Sequence, residues 1–429
     1  MKVIVAGGGW AGCAAALQAR KMGAEVCLVE RTDMLLGTGL VGGIMRNNGR
    51  FTATEELLAM GGGEIFEAVD RNYLHENVEF PGHRHASLYN VATMEPIIRR
   101  RLQSAGVTLR MECRLTEVKR DDRRILSVSG KQKVSREVFE MAADAFVDAT
   151  GTAGPPAQCN KYGTGCAMCV LRCHTFGGRV SLAAKAGVQE MAGRKGGQIG
   201  AMSGSCKLLK ESLAPSLRET LERDGVAVVP IPGDLQTAGK LSMKACQQYA
   251  IEAFAENLVL LDTGHAKLMT PFFSLEALRR VTGFENARYE DPYGGGLGNS
   301  IRYIGMAPRD DSLQVEGVEN LFCGGEKAGL LVGHTEAICT GTLAGYNAVL
   351  RIRREPPLIV PDTLAIGDAI AFVRRQMRTE DGLGEKYTFS GSVYFDRMRR
   401  RNLYQTDRRS VAERVGRAGL EGVFSRTAG

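Results

Sequence analysis

The sequence predicts an α/β fold, with a Rossmann-type dinucleotide-binding domain, an inserted α+β substrate domain and a C-terminal helical tail. Three features support this prediction: a strand–glycine loop–helix–strand unit opens the chain, an apolar strand ends at Asp148, and a later strand enters a second glycine turn at Gly324. A chain of 429 residues is also too long for one simple core. We expect the first domain to comprise residues 1–150 and 301–352, the second residues 151–300, and the tail residues 353–429.

The opening unit contains a dinucleotide-binding motif. Residues 2–6 form an apolar strand, the following helix carries alanines on its packing face, and a second strand ends at Glu30. The segment Gly7-Gly8-Gly9-Trp10-Ala11-Gly12 fits G-x-G-x-x-G. Its first glycine permits a tight turn, its second lets the backbone approach a pyrophosphate, and its third lets the helix pack on the strand. The positive end of the helix would then face the phosphates, and Glu30 would accept hydrogen bonds from a ribose diol.

Two more segments favour FAD over NAD and predict a Rossmann-type FAD-binding domain. Asp148-Ala149-Thr150-Gly151 follows an apolar strand, and Leu321-Phe322-Cys323-Gly324-Gly325-Glu326 lies near the far end of the chain. In flavoproteins with two dinucleotide-binding domains, a similar segment closes the FAD site, and this resemblance implies that Glu326 lies at the ribityl or pyrophosphate region. Gly333-His334-Thr335-Glu336-Ala337 would begin a helix whose positive end stabilises the anionic reduced flavin.

The loop Thr38-Gly39-Leu40-Val41-Gly42-Gly43 follows Glu30 at a distance typical of this flavoprotein class. It is either a plain loop or, as we favour, a backbone contact to the flavin. The cofactor-binding residues expected from all these segments are Gly7, Gly9, Gly12, Glu30, Arg31, Gly39, Thr150, Gly151, Gly325, Glu326, Gly333, His334 and Thr335.

Four cysteines fall within fifteen residues, as Cys159-x6-Cys166-x2-Cys169-x3-Cys173. Four thiolates are what a [4Fe–4S] cluster requires, although zinc accepts the same set, and free or pairwise redox thiols are a further alternative. An adjacent flavin and the absence of paired C-x2-C knuckles favour the iron–sulfur cluster. Cys206 and Cys246 are reserve ligands that could replace one of the four.

Composition indicates the compartment. The chain is 44% hydrophobic, which is typical of a globular protein. Its first strand leaves no room for a signal peptide, and it has no run of about 18 apolar residues that could span a membrane. We therefore expect a cytoplasmic protein that does not associate with membranes. In that compartment the eleven cysteines are expected to be metal-binding, catalytic or buried thiols rather than disulfides.

Positive charge concentrates at the C-terminal end. From Arg351 onwards there are sixteen basic and ten acidic residues, so this segment holds most of the net charge of +7. Its densest part comprises Arg397, Arg399, Arg400, Arg401, Arg408 and Arg409. These arginines form either a solvated helical face or a binding site for RNA phosphates or a polyanionic cofactor tail.

Three residues are candidates for catalysis. His334, at the start of the helix expected at the flavin, and His265 are the best proton-transfer candidates among six histidines. Arg302 either grips a substrate carboxylate through two hydrogen bonds or pairs with Glu290 or Asp291.

The FAD-binding segments resemble those of the large family of FAD-dependent oxidoreductases with a glutathione-reductase-type FAD fold. Within it, Asn320–Glu326 and Gly341-Thr342-Leu343-Ala344-Gly345-Tyr346-Asn347-Ala348 are similar to the folate-dependent flavoprotein tRNA-uracil methyltransferases and to the wobble-uridine modification flavoproteins. The resemblance covers about half the chain. The methyltransferases carry a catalytic cysteine soon after the second strand, whereas this chain has Ile44-Met45-Arg46-Asn47-Asn48 there.

Three functional hypotheses follow. The first is an FAD-dependent oxidoreductase that exchanges a hydride with a small substrate, for which a folate is a candidate, and passes single electrons through the cluster to a partner protein. The second is an RNA-modifying flavoenzyme whose arginine-rich tail holds RNA, and the third is a non-enzymatic electron-transfer or sensor flavoprotein. The sequence does not determine the oligomeric state, and a homo-oligomer is compatible with it.

Overall fold

The computed structural model describes residues 1–151, 173–195, 198–199, 201–202, 206–236, 241, 247–269, 273–290, 301–302 and 305–425.

A parallel five-stranded sheet lies at the centre of the molecule. Its strands follow the order Leu321–Cys323, Ala145–Asp148, Lys2–Ala6, Glu25–Val29 and Thr108–Arg110. The middle strands are apolar runs buried on both faces, as expected where helices cover a parallel sheet. The carboxyl ends of four strands meet at one edge, where the predicted FAD-binding segments begin.

Two helices pack on this sheet in close contact with each other. The N-terminal helix spans Trp10–Lys21, and the glycines before it form the loop. The long helix spans His334–Arg353. Glycine makes the contact possible, since a Cβ at Gly341 or Gly345 would lie 2.7 Å from the Cα of Ala11 or Ala15. This packing brings the start of the long helix beside the glycine loop.

An antiparallel three-stranded sheet follows the fifth strand. It comprises Cys113–Asp121, Arg124–Gln132 and Val138–Ala142. The sequence pattern predicts antiparallel strands here, but around a turn at Ser129-Gly130. The structure instead turns at Asp122, which has φ 44°, and Gly130 lies within a strand. A Cβ at Gly130 would lie 2.7 Å from the carbonyl oxygen of Arg114, so this glycine serves close strand packing.

Two further antiparallel sheets share a hydrophobic core. A three-stranded sheet has the order Ile44–Met45, His83–Tyr89, Tyr73–Phe80, and a four-stranded sheet has the order Cys206–Leu208, Ala266–Leu268, Asn257–Asp262, Val226–Pro230. Phe80 and Leu88 of the first sheet and Val259 and Leu261 of the second belong to the same buried cluster. Short strand pairs join Met191–Ala192 to Gly305–Met306, Arg194–Lys195 to Gln198–Ile199, and Ala201–Met202 to Ile301–Arg302.

The segment after residue 353 packs into the main core. Tyr387, Phe389, Tyr394 and Phe424 are each at most 1% exposed. Its helices are Ala365–Gln376, Glu380–Leu383, Ser392–Arg400 and Arg408–Arg417. Helical character agrees with the prediction for this segment, whereas the domain boundaries remain predictions.

Within the described residues, the remaining α-helices are Gly39–Gly42, Gly49–Ala59, Glu64–Asp70, Met94–Ser104, Cys173–Phe176, Leu182–Lys185, Pro215–Asp224, Ala253–Glu256 and Leu275–Leu278. Single 3-10 turns span Lys210–Ser212, Gly233–Leu235, Gln247–Tyr249, Gly325–Ala328 and Val423–Ser425. Within the described part of the chain, no helix combines the length and apolar character needed to cross a membrane.

Candidate functional site

The glycine loop at the carboxyl edge of the sheet has the geometry that a pyrophosphate requires. Gly7 has φ 97°, and a Cβ there would lie 2.5 Å from the carbonyl oxygen of Ala149. A Cβ at Gly12 would lie 1.8 Å from the carbonyl oxygen of Gly7. By contrast, a Cβ at Gly9 would meet no atom within 4 Å, so open space lies in front of the N-terminal helix. Backbone N–H groups and the positive helix end therefore face a space that a phosphate can enter.

Glu30 lies directly beside this loop. Its side chain is buried, and one carboxylate oxygen accepts a hydrogen bond from the Gly8 N–H at 2.7 Å. The other accepts from the backbone N–H and the hydroxyl of Thr32 at 2.8 and 3.0 Å. A carboxylate offers about four lone-pair positions, so capacity remains for a ribose hydroxyl. The neighbouring Arg31 donates to the carbonyl oxygen of Gly177 at 2.8 Å.

The strand that ends at Asp148 supports the same edge. The Asp148 carboxylate accepts hydrogen bonds from the Thr150 hydroxyl at 2.6 Å and from the Ala183 N–H at 2.8 Å. Thr150 therefore orders the turn through its side chain, a role that the sequence motif does not reveal. Gly151 follows with φ 67° and no atom within 4 Å of a Cβ position, so it also borders open space.

The start of the long helix completes the edge. Gly325 has φ 66°, and its N–H donates to the Thr340 hydroxyl at 2.8 Å, which fixes the turn before the helix. Glu326 lies in that turn and is half-buried. The Thr335 hydroxyl, in the first helical turn, is fully buried and has no hydrogen-bond partner among the described residues. A buried polar group without a partner is costly, which points to a ligand at this position.

His334 lies among aromatic rings beneath the Gly39–Gly42 turn. Its ring centroid is 6.1 Å from that of Trp10 and 6.3 Å from that of Tyr89, and its Nδ1 is 3.5 Å from the Tyr89 hydroxyl. That hydroxyl donates to the Gly39 carbonyl oxygen at 2.8 Å. A Cβ at Gly42 would lie 1.6 Å from Cε1 of His334, so the turn can pack on the imidazole only with glycine there.

His265 lies in the turn between the strands Asn257–Asp262 and Ala266–Leu268 of the four-stranded sheet. Its Nδ1 is 2.9 Å from a carboxylate oxygen of Glu290. Burial, and then the ammonium groups of Lys207, Lys210 and Lys267, lower the pKa of His265, so its imidazole is neutral at pH 7. Arg302 belongs to the short strand Ile301–Arg302, and its side chain lies outside the described part of the structure.

A buried ion pair supports the start of the long helix and could not be found from the sequence. Arg50 and Glu336, 286 positions apart, lie 3.1 Å apart and are both buried. The Glu336 carboxylate also accepts from the Thr388 hydroxyl at 2.6 Å and the Phe389 N–H at 2.9 Å. The pair thereby joins the helix that carries His334 to the C-terminal segment.

Most of the predicted thiolate site lies outside the described residues. Cys159, Cys166, Cys169 and the reserve Cys246 are not described, and Cys173 begins the helix Cys173–Phe176 without a described side chain. Cys206 is buried in its strand. Within the described ranges, no three His, Cys, Asp or Glu side chains form a group that could hold a metal ion. The cluster remains a prediction.

The residues at the sheet edge fit FAD. Gly9 and Gly151 border open space, and the Thr335 hydroxyl lacks a protein partner among the described residues. Two helix N-termini lie at this edge, where partial positive charge favours an anionic ligand. Gly9 would lie against the pyrophosphate, in a loop that Gly7 and Gly12 allow to pack tightly on the sheet. Glu30 would hold the ribose, and His334 and Thr335 the flavin pyrimidine.

Comparison with known proteins gives two family matches and a likeness of fold. Residues 2–154 match the family model described as "FAD dependent oxidoreductase", and residues 252–356 match the model described as "Glucose inhibited division protein A". Among solved structures, GidA from Aquifex aeolicus in its form II crystal superposes with a TM-score of 0.67 at 16% identity, covering 99% of this chain and 73% of that one. That likeness is one of fold.

Curated relatives match over shorter segments. The "tRNA uridine 5-carboxymethylaminomethyl modification enzyme MnmG" of Alkaliphilus oremlandii is 31% identical over 36% of this chain and 24% of its own length. The enzyme of the same name from Thermodesulfovibrio yellowstonii is 35% identical over 19% of this chain and 13% of its own length. The aligned segments thus span less than a quarter of these relatives. Together with the family matches and the fold, they show that the chain resembles FAD-dependent oxidoreductases and, among these, the wobble-uridine modification flavoproteins.

Proposed function

We propose that the protein is an FAD-dependent enzyme that modifies uridine in RNA. The proposal rests on one combination of features. The carboxyl edge of the parallel sheet has residues that fit FAD, and residues 252–356 of the same chain match the division-protein family model. Relatives aligned with parts of the chain are named for the modification of tRNA uridine. This proposal reverses the order of the first two hypotheses drawn from the sequence.

Bound FAD would supply hydride or electron transfer. The chain's own residues would orient it through the glycine loop and Glu30, and the helix that begins at His334 would stabilise negative charge on the pyrimidine ring. The polar segment around Arg46-Asn47-Asn48 occupies the place where the methyltransferases have a cysteine, and no cysteine lies between Cys27 and Cys113. A methyl transfer through a thiol at that position is therefore not part of this proposal.

A contiguous surface with arginines and aromatic rings supports binding of RNA. We call it the basic–aromatic surface and define it as Phe51, Arg84, His85, Arg399, Tyr404 and Arg408. The Arg408 guanidinium lies 5.9 Å and the His85 ring 5.5 Å from the Phe51 ring. Thr52 follows Phe51, and Gln405 follows Tyr404. Hydrogen bonds between Thr52 and Gln405, at 2.7 and 3.0 Å, therefore hold the Phe51 side of this surface next to the Tyr404 side.

The Tyr404 side of the surface also combines an aromatic ring with arginines. Burial raises the pKa of Tyr404, while the guanidinium groups of Arg84 and Arg399 lower it, which places both charges near the phenol. Arg399 and Arg408 are 63% and 70% exposed, although Asp396 and Glu55 partly neutralise them. Exposed guanidinium groups beside aromatic rings suit phosphates and unstacked bases.

Not all the arginines of the tail are available for RNA. Arg397 and Arg401 both pair with the fully buried Asp368 and so stabilise the fold. Arg409, at 88% exposed, pairs with Glu413 in the next helical turn. The alternative interpretation of these C-terminal arginines, a solvated helical face, thus applies to some of them.

The double variant Arg399→Gln/Arg408→Gln tests the proposal through tRNA binding at several salt concentrations. We expect weaker binding and a slope of log K against log salt that is smaller by about 2, because each lost phosphate contact removes about one unit. Arg223→Gln is the matched control, since Arg223 is an exposed arginine of the helix Pro215–Asp224. Equal affinity and slope for all three proteins would contradict the RNA surface.

Activity is tested separately by mass spectrometry of tRNA nucleosides from cells that lack the gene. Loss of a modified uridine, restored by the intact gene, is the expected result. Unchanged nucleosides would overturn the proposed reaction.

The iron–sulfur cluster is the second proposal and rests on the spacing of the four cysteines. Gly151, before that segment, and Gly177, just after the helix Cys173–Phe176, both lie at the carboxyl edge of the sheet, where Gly177 accepts a hydrogen bond from Arg31. Such a cluster would exchange single electrons with the flavin and a partner protein. Protein purified without oxygen should contain about four iron and four sulfide per chain, and protein that contains only flavin would exclude the cluster.

A further inference from the structure

The short helical turn Gly39–Gly42 has each of its four carbonyl oxygens bound by a side chain from outside the turn. The Tyr89 hydroxyl donates to the first at 2.8 Å, and the Lys207 ammonium donates to the second at 3.5 Å. The Lys267 ammonium donates to the third at 2.5 Å and also to the fourth. The last four carbonyl groups of a helix lack partners inside it, so these outside donors determine where the turn lies.

Both lysines come from the four-stranded sheet. Lys267 is the middle residue of the strand Ala266–Leu268, lies directly opposite Lys207 in the antiparallel register, and is 6% exposed. A buried ammonium group is costly unless acceptors surround it, and two carbonyl oxygens of the turn are acceptors for Lys267. The lysine and the turn therefore stabilise each other, and their hydrogen bonds join the four-stranded sheet to the turn.

The same turn packs directly on two residues at the carboxyl edge of the parallel sheet. A Cβ at Gly42 would lie 1.6 Å from Cε1 of His334, and one at Gly39 would lie 2.3 Å from Nε1 of Trp10. His334 is expected at the flavin pyrimidine, and Trp10 begins the helix that follows the glycine loop. Since glycine places no side chain at either contact, a displacement of the turn changes the surroundings of the imidazole and the indole together.

We propose that Lys267 is a positioning residue, which holds the Gly39–Gly42 turn against His334 and Trp10 and so shapes the site for FAD. It acts through the carbonyl oxygens of the turn and not by contact with the cofactor. The four-stranded sheet thereby controls how tightly FAD binds, although none of its strands contains a residue expected to contact FAD. This role depends on the FAD site and is independent of the RNA on which the enzyme is proposed to act.

The single tryptophan of the chain provides a direct readout of the turn. Trp10 is 2% exposed, so acrylamide should quench its fluorescence poorly in the full chain after removal of FAD. In Lys267→Met the turn loses two hydrogen bonds from a charged donor, and we expect acrylamide to quench Trp10 more strongly. Titration with FAD then measures affinity, which we expect to be weaker by about tenfold or more.

Two further variants complete the experiment. Lys207→Met removes a half-buried lysine that binds one carbonyl oxygen of the turn, so we expect the same two changes at smaller size. It also keeps the test decisive if Lys267→Met does not fold. Lys131→Met is the matched control, because Lys131 is an exposed lysine in the strand Arg124–Gln132 of another antiparallel sheet. Its quenching and FAD affinity should equal those of the unchanged protein.

All measurements are made well below the thermal unfolding midpoint of each variant, so that a general loss of stability does not change them. Unchanged quenching of Trp10 in the folded Lys267→Met protein would overturn the role of the lysine in holding the turn. Unchanged FAD affinity would overturn the role of the turn at the cofactor. Equal effects in Lys131→Met would reject both. Binding of tRNA is measured independently, so these outcomes leave the proposed RNA surface untouched.

Discussion

At the scale of single residues, His83 shows how burial fixes the state of a titratable group. It is 2% exposed and lies between Phe80 and Tyr249, with ring centroids 4.7 and 4.9 Å away. The Asn47 amide donates to Nδ1 at 3.0 Å, so Nε2–H donates to the Gln248 carbonyl oxygen, also at 3.0 Å. The neutral tautomer therefore satisfies both nitrogens, and burial lowers the pKa of His83 to about 3.

This pKa predicts a loss of stability in mild acid. Between about pH 6.5 and pH 3 the unfolded chain binds a proton that the folded protein does not, so the free energy of unfolding falls as pH decreases. The loss from His83 alone amounts to about 2 kcal/mol at pH 5. Urea unfolding of His83→Gln should show a pH dependence weaker by this amount, after both proteins are compared at pH 8 to correct for lost packing. Parallel pH profiles would reject the prediction.

At the scale of elements, the contact between the N-terminal and long helices depends on glycine. A Cβ at Gly345 would lie 2.3 Å from the carbonyl oxygen of Ala15, whereas one at the exposed Gly416, in the helix Arg408–Arg417, would meet nothing nearer than 3.9 Å. Gly345→Ala should therefore destabilise the protein by about 1–3 kcal/mol through overpacking. Gly416→Ala should stabilise it by about 0.5–1 kcal/mol, because alanine favours the helix. Thermal unfolding of both variants measures this contrast, and shifts of the same sign would contradict it.

The same elements show what sequence can predict. The central strands, both helices and the glycine turns were predictable, because buried parallel strands and dinucleotide loops depend on local patterns. The turn at Asp122 was mispredicted, since Gly130 is a glycine for packing against Arg114 rather than for turning. The opposition of Lys207 and Lys267 depends on strand register across some sixty residues, which no local pattern encodes.

At the scale of the whole molecule, the C-terminal segment is part of the fold rather than an appended tail. The Glu56 carboxylate is fully buried and accepts hydrogen bonds from the N–H groups of Ala365 and Ile366 at 2.8 and 3.0 Å, and from Arg414 at 2.9 Å. It thereby accepts from the N–H groups at the start of the helix Ala365–Gln376 and binds Arg414 of the helix Arg408–Arg417. Removal of residues beyond 355 would leave this carboxylate and the adjoining core exposed, so a truncated chain cannot serve to test RNA binding.

Cleavage of the intact chain tests this integration directly. A specific protease site inserted between Glu355 and Pro356, in an exposed linker, would separate the two parts covalently without removing either. We expect the cleaved fragments to elute together in size-exclusion chromatography and to separate only in denaturant, because buried contacts at Glu56 and Glu336 hold them. Glu56→Ala leaves two helix N–H groups and Arg414 without their acceptor, at a cost of about 3 kcal/mol or more. The cleaved variant should therefore dissociate at a lower denaturant concentration, and fragments that separate in native buffer would show instead that the segment is only tethered.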